Sequence, residues 1–401
     1  MRALGLAAAV ALAAGTAQAQ VSDGVIKIGV LTDMSSLYTD LSGAGSVLAA
    51  KMAVEDFGAA AKGMKVEIVS ADHQNKPDVG SSIARQWYDV DKVDVIVDVP
   101  NSGVALAVNE VTREKNKVFL VSGAASSALT GDKCSPNTIH WTYDTWALAN
   151  GTGRAIVKTG GDSWFFITAD YAFGHQLEAD TMAVVKEMGG KVVGSVRAPL
   201  NTPDFSSFLL QAQSSKAKII GLANAGGDTI NSIKQASEFG IVKGGQNLAG
   251  LLVFLTDVHS LGLPVAQGLI FTEAWYWDMN DANRAFAAKF APQDKGIHPT
   301  MIHAGVYSAV THYLKAIEAM KSDSDGKAVV AKMKSMPAED KLFGKSTIRA
   351  DGRNIHDMYL FEVKKPDESK KPWDYYKLRA TIPAAEAFRP VDKGNCPLTK
   401  S

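Results

Sequence analysis

The strongest constraint on this chain is the alternation of short apolar segments with longer segments whose apolar residues recur at helical spacing. In the first part of the chain the apolar segments cover 25–31, 65–70, 94–99 and 118–121, and the helical ones 43–57, 79–90 and 104–115. Strands that alternate with helices through short turns form a parallel sheet with helices on both faces. This pattern predicts an α/β unit.

The same pattern starts again after Trp141. Predicted helices cover 145–158, 173–188 and 229–239, and predicted strands cover 163–168, 191–196, 218–222, 248–254 and 268–272. Two helices at 281–290 and 300–320 and two strands at 346–349 and 357–364 complete the chain. Because 401 residues exceed what one hydrophobic core usually serves, we expect two α/β units in tandem.

The composition excludes several classes of protein. The chain has 42 basic and 42 acidic residues, and such a balance provides no basic field for nucleic acid or an anionic membrane. Two cysteines in the whole chain exclude a disulfide-dense scaffold and a cysteine-rich zinc protein. We therefore expect no nucleic-acid partner.

The N-terminus predicts export. Arg2 precedes an apolar run at 3–14, and Ala17 and Ala19 supply the small residues that a signal peptidase requires. The run is shorter than the ~20 residues that span a bilayer. We predict a signal peptide at 1–19 and a mature protein in the periplasm.

Export makes the two cysteines informative. Cys134 lies in a turn-like loop, and Cys396 lies close to the C-terminus. A bond between them would hold down a tail that otherwise frays, and an oxidising compartment permits it. Two unpaired thiols are the alternative.

Motifs for catalysis are missing or out of order. The chain has no GxSxG and no HExxH, and its KTG at 158–160 precedes the SxxK at 215–218, the reverse of the β-lactamase order. Its 8 histidines are scattered, whereas a metal site needs three or four convergent ligands. We expect a protein that is not an enzyme and that uses no metal or cofactor.

Three loops at the carboxyl ends of predicted strands favour ligand binding instead. They cover 32–38, 100–103 and 122–127 and are rich in small and polar residues. Ligands of parallel α/β sheets bind at this edge, where hydroxyls and the N–H groups of helix N-termini suit a carboxylate. Helix caps and turns are the alternative use of these residues.

The order of several motifs resembles a known family. The segments IKIGVLTDMSS, LVSGAASSALTG and DYAFG follow the predicted signal peptide. The chain resembles type I solute-binding proteins of ABC transporters, of the leucine/isoleucine/valine-binding kind. The resemblance implies two Rossmann-like lobes joined by three crossings, near 139–142, 269–272 and 346–357. It places 20–142 with 273–345 in one lobe and 143–272 with 346–401 in the other.

The resemblance also implies a ligand site between the lobes. Asn101 and Ser102 match one polar loop, and the next loop consists of Gly123, Ala124, Ala125 and Ser126. Phe173 matches an aromatic residue that closes from the second lobe. Further aromatic candidates for covering a ligand or packing the hinge are Tyr38, Tyr143, Tyr171 and Trp275.

One departure from the family bears on the ligand. Amino-acid binders place an acid of the second lobe against the ammonium group, and here that acid is missing or displaced to Asp257. The expected ligand is therefore a small polar molecule or carboxylate, either an aromatic acid or one similar to a branched-chain amino acid. The protein is expected to act as a monomer that delivers this ligand to a permease. A secreted sensor, an amide or urea binder and a hydrolase are the alternatives.

Overall fold

The computed structural model of the protein describes residues 21–400, so the predicted signal peptide at 1–19 lies outside the described residues. Within this part of the chain, no helix has the length and apolar character needed to cross a membrane.

The described chain up to residue 140 forms a parallel sheet. Its strands are β1 (Ile26–Thr32), β2 (Val66–Asp72), β3 (Val95–Asp98), β4 (Val118–Val121) and β5 (Thr138–His140), in the order β2-β1-β3-β4-β5. The helices between them are α1 (Gly43–Phe57), α2 (Pro77–Asp89) and α3 (Ser102–Lys115). Every residue of β3 and β4 is buried, as expected for strands covered on both faces.

A second parallel sheet follows. Its strands are β6 (Ser163–Ala169), β7 (Lys191–Ala198), β8 (Ile219–Ala223) and β9 (Asn247–Gly250), in the order β7-β6-β8-β9. Its helices are α4 (Thr145–Leu148), α5 (Arg154–Lys158), α6 (Ala172–Glu187), α7 (Ser206–Ser214), α8 (Gly227–Glu238), α9 (Leu255–Leu261) and α10 (Leu263–Ala266). The prediction of two α/β units is confirmed.

The remaining strands form two small antiparallel sheets. One contains β10 (Ile270–Glu273), β14 (Met358–Val363) and β15 (Tyr376–Ile382), and the other contains β11 (Ala338–Asp340), β12 (Gly344–Ile348) and β13 (Asn354–Ile355). The last helices are α11 (Asp281–Phe290), α12 (Met301–Met320), α13 (Gly326–Ser335) and α14 (Ala384–Ala387).

Two predicted elements differ from the structure. The strand predicted at 248–254 ends at Gly250, because the Phe254 amide donates to the Asp257 carboxylate and this cap starts α9. The helix predicted at 145–158 contains a π-helical turn at Ala149–Gly153 between α4 and α5. Gly151 packs there against β10, where a Cβ would come within 2.3 Å of the Thr272 hydroxyl oxygen.

Three connections join the two halves of the molecule. We call the sheet β1–β5 with α1–α3 and α11–α13 the first lobe, and the sheet β6–β9 with α4–α10 and β10, β14 and β15 the second lobe. The crossings lie at 141–144, after Glu273 and at 356–357. The first crossing overlaps its predicted range, the second lies just past its range, and the third lies within its range. The full lobe boundaries given above stay a prediction.

A disulfide ties the C-terminal tail, residues 383–400, to the first lobe. Cys134 and Cys396 are bonded, with 5.6 Å between their Cα atoms, and Cys396 is fully buried. Nearby, the Arg389 side chain donates to the Ser127 carbonyl oxygen over 2.9 Å. The predicted bond is confirmed, and the tail runs from β15 of the second lobe onto the first.

Replacing both cysteines, as Cys134→Ala/Cys396→Ala, is expected to lower the free energy of unfolding by ~2–4 kcal/mol, because the bond restricts the unfolded chain. Urea unfolding of the oxidised wild type and of the double variant measures the difference. A thiol reductant should destabilise the wild type and leave the double variant unchanged. Equal stability of the two oxidised proteins would contradict the expectation.

Candidate functional site

A cavity lies between the two lobes, at the carboxyl ends of the strands of both parallel sheets. The first lobe and the first crossing contribute Tyr38, Leu41, Pro100, Gly123, Ala125 and Tyr143, and the second lobe contributes Tyr171, Phe173, Ala225, Leu252 and Phe254. Six of the predicted site residues line it, namely Tyr38, Gly123, Ala125, Tyr143, Tyr171 and Phe173.

The turn after β3 brings Pro100 into the cavity wall through an unusual backbone. Asp98 and Val99 have φ angles of 80° and 54°, a region that a β-branched residue rarely adopts. The buried Asp98 carboxylate accepts a hydrogen bond of 2.6 Å from the Ser42 hydroxyl. Burial raises the pKa of Asp98 to about 6. Such strained positions cluster at functional sites, where the surroundings hold them in place.

The loop 122–127, which we call the ligand loop, packs directly on this turn. The Asp98 carbonyl oxygen accepts from the amides of Ser122 and Gly123 over 3.3 Å each. A Cβ at Gly123 would lie 2.7 Å from an Asp98 carboxylate oxygen and from the Pro100 Cα. Only glycine therefore lets the loop approach the turn this closely.

The two polar residues that open α3 serve the local backbone. The Asn101 side chain accepts from the Val104 amide over 3.0 Å and caps the helix. The Ser102 hydroxyl oxygen accepts from the amides of Ala125 and Ser126 over 3.3 and 3.2 Å. These amides are thus already paired, and the Ser102 hydroxyl hydrogen remains as the donor that this position can offer.

Besides Asn101 and Ser102, four more predicted residues contribute no side chain to the cavity lining. The Ala124 carbonyl oxygen accepts from His140 over 2.7 Å, and the Ser126 hydroxyl accepts from the Ala128 amide. Asp257 caps α9, and the Trp275 ring packs edge-on against Phe286 at 5.9 Å. The structure places these side chains in supporting layers behind the cavity.

Tyr143 connects the first crossing to the ligand loop. Its side chain is buried, and its hydroxyl donates a hydrogen bond of 2.5 Å to the Gly123 carbonyl oxygen. Burial raises the pKa of Tyr143 well above its usual value, so the phenol stays protonated. The Gly123 carbonyl is therefore occupied by a neutral donor of the protein itself.

Contacts between the lobes close the mouth of the cavity. The hydroxyl of Tyr38 in the first lobe and that of Tyr171 in the second form a hydrogen bond. Beside them, the Gly227 amide donates to the Leu37 carbonyl oxygen over 3.3 Å. The structure is thus in a closed arrangement, with the tyrosine pair across the opening.

The cavity wall carries no formal charge, although acids lie behind it. Asp228 accepts from the amides of Asn201 and Thr202, and Asp257 accepts from the Phe254 amide over 2.9 Å. Burial raises the pKa of Asp228 to about 6 and that of Asp257 to about 7. In residues 21–400, no group of three or more His, Cys, Asp or Glu side chains converges as a metal site would require.

Five lining residues escaped the sequence analysis as site candidates: Leu41, Pro100, Ala225, Leu252 and Phe254. Pro100 lies in the loop 100–103, which the sequence predicts as a ligand-binding loop, and Ala225 follows the strand β8. Leu252 and Phe254 were assigned to a strand. Ligands of parallel sheets bind just beyond the strand ends, so a predicted strand that ended at Gly250 would have marked both residues as site candidates.

Comparisons with known proteins agree with this architecture. A family model for periplasmic binding proteins matches residues 25–370. A periplasmic binding protein from Burkholderia mallei is 53% identical, with a TM-score of 0.91 over 94% of this chain and 100% of that one. A branched chain amino acid ABC transporter periplasmic ligand-binding protein from Burkholderia xenovorans LB400 is 42% identical, with a TM-score of 0.82 over 94% and 100% of the two chains.

A third solved structure contains a bound ligand. It is a solute binding protein of an ABC transporter from Rhodopseudomonas palustris HaA2 in complex with p-hydroxybenzoic acid. It is 25% identical to this chain, with a TM-score of 0.81 over 90% of this chain and 97% of that one. The predicted resemblance to type I solute-binding proteins is confirmed by these matches, above all by the family model that spans most of the sequence. The chain belongs to the periplasmic binding protein family.

Proposed function

We propose that this protein is the substrate-binding protein of an ABC transporter and acts outside the cytoplasm as a monomer. It captures a small ligand between its two lobes and delivers it to a permease. The relatives from Burkholderia xenovorans and Rhodopseudomonas palustris, both assigned to ABC transporters, support this role. The closed cavity between two hinged lobes supports it as well, because such domain pairs close around their ligands.

The ligand that suits this cavity best is a flat aromatic carboxylate. The observation that carries this proposal is the lining, which holds five aromatic rings and no charged side chain. An α-amino acid needs an acceptor for its ammonium group, yet Tyr143 occupies the Gly123 carbonyl and Asp257 is used as a helix cap.

Neutral donors would hold the carboxylate. The bond between the Tyr38 and Tyr171 hydroxyls uses only one of their two hydrogens, so the other can be donated to a ligand, and a hydrogen bond to a charged group contributes roughly 1.5–3 kcal/mol. The rings of Phe173 and Phe254 then cover the apolar body from the second lobe. Recognition therefore depends on shape and on neutral hydrogen bonds.

The test is a thermal-shift titration with benzoate, 4-hydroxybenzoate and L-leucine. A ligand present at 100 times its dissociation constant stabilises the folded state by ~2.7 kcal/mol, so an aromatic acid should raise the melting temperature clearly. L-leucine should stabilise less at the same concentration. Stabilisation by L-leucine alone would overturn the aromatic ligand and leave a branched-chain amino acid in its place.

Adding bulk to the ligand loop should fill the cavity. Ala125→Leu projects a larger side chain into the lining, so affinity for the aromatic acid should fall at least tenfold, which is ~1.4 kcal/mol. Titration calorimetry measures the change, and Ala179→Leu on the exposed side of α6 is the matched control. Wild-type affinity in a folded Ala125→Leu protein would place the ligand elsewhere.

The tyrosine pair across the mouth should contribute to affinity through closure. Tyr171→Phe removes the hydrogen bond to Tyr38, a loss of ~1 kcal/mol or about fivefold in affinity. Tyr359→Phe, in β14, removes a phenol away from the cavity and should have no effect. Small-angle scattering with and without ligand measures closure in parallel. An unchanged affinity in Tyr171→Phe would mean that the pair does not stabilise the closed form.

A further inference from the structure

We propose that Asp180 is a positioning residue of the second lobe that holds the ligand loop of the first lobe when the protein is closed. This inference rests on the proposed function, because it concerns the affinity of the same cavity. Asp180 lies on α6 and is absent from the cavity lining.

The Asp180 carboxylate accepts hydrogen bonds from hydroxyl groups on both sides of the hinge. One oxygen accepts from the Ser127 hydroxyl over 2.9 Å and from the Thr145 hydroxyl over 2.6 Å. The other accepts from the Gln176 side chain over 3.0 Å. Ser127 belongs to the first lobe and Thr145 begins α4 of the second, so this carboxylate bridges the lobes.

Thr145 extends this contact to the cavity wall. Its amide donates to the Ala125 carbonyl oxygen over 2.8 Å, and its hydroxyl oxygen accepts from the Ser127 amide over 3.1 Å. Ala125 lines the cavity directly. A hydrogen-bonded path therefore runs from Asp180 through Thr145 to the loop that the ligand contacts.

Ser127 is also held from its far side by the C-terminal tail, since its carbonyl oxygen accepts from Arg389. The Ser127 amide thus donates to Thr145 beside the first crossing, and its hydroxyl donates to Asp180 of the second lobe. Its carbonyl oxygen accepts from the tail. Only the hydroxyl bond to Asp180 joins side chains that belong to different lobes. Thr145 directly follows the first crossing, whereas Asp180 lies further along the chain on α6, so we expect lobe opening to break the bond from Ser127 to Asp180 first.

The chemistry favours a role in closure. The carboxylate accepts three hydrogen bonds from neutral groups, and burial raises the pKa of Asp180. Asp144 is the charged group that faces it and also raises the pKa. A bond that forms only in the closed form raises the fraction of free protein that is closed, and a ligand that binds the closed form then binds more tightly.

The experiment compares Asp180→Ala, which removes the acceptor of the Ser127 and Thr145 hydroxyls, with the wild type by titration with benzoate. Affinity should fall at least tenfold, while the melting temperature of the unliganded protein should change little. Glu187→Gln is the matched control: it removes one charge from the same helix, at an exposed position paired with Arg154, and should leave affinity unchanged. A lower melting temperature with wild-type affinity would indicate a structural role and overturn the proposal.

A double-mutant cycle tests the pairing itself. Ser127→Ala removes the hydroxyl partner and keeps the carbonyl that Arg389 binds. If the two side chains act together, the Ser127→Ala/Asp180→Ala double variant should bind benzoate about as weakly as Asp180→Ala alone. Losses that multiply would show independent effects and overturn the pairing.

A readout without ligand separates this inference from the proposed function. Amide hydrogen exchange of the free protein should be faster at 123–127 in Asp180→Ala than in the wild type and in Glu187→Gln. If the wild type fails to bind benzoate, the aromatic ligand is wrong, and faster exchange at this loop still supports Asp180. Equal exchange in all three proteins would overturn its role.

Discussion

A fully buried arginine at the hinge holds the parts of this molecule together. The Arg353 guanidinium donates to the Tyr143 carbonyl oxygen over 2.9 Å, lies 3.6 Å from the Asp144 carboxylate and stacks on the Phe388 ring. Burial lowers the pKa of Arg353 to about 10, so it remains charged at neutral pH. A buried charge is costly without partners, and here the partners come from the first crossing and from the tail. The Tyr143 hydroxyl donates to the Gly123 carbonyl oxygen of the ligand loop, so hydrogen bonds connect the hinge to the cavity wall.

The cavity keeps charge behind its wall. Asp98 and Asp257 are buried behind it, where Asp98 accepts from the Ser42 hydroxyl and Asp257 accepts from the Phe254 amide at the start of α9. The lining itself is aromatic and neutral. Such a wall can enclose the apolar body of a ligand tightly, because only the polar end of the ligand loses hydrogen bonds to water on binding. Because the acids lie behind a neutral lining, a site with several acids nearby can still suit an anionic ligand.

Local sequence patterns predicted the elements well wherever a strand or helix is bounded by clear turns. Gly123 and Ala125 were found because they follow a strand of a parallel sheet, and this rule depends on topology alone. Phe254 was placed in a strand because an apolar run has no periodicity that separates a strand from a helix start. The cap from Asp257 decides this boundary. Trp275 was expected near the ligand, but its packing on Phe286 is a contact that adjacent sequence does not encode.

The bond between Cys134 and Cys396 turns the molecule into a covalent ring. The two residues are 262 positions apart, and all three crossings lie between them. The two lobes are thus joined by a fourth covalent link that leaves the second lobe through the tail and enters the first beside the ligand loop. A protease that cuts the backbone once within this ring releases no fragment, so a nicked protein keeps both halves of its cavity on a single molecule.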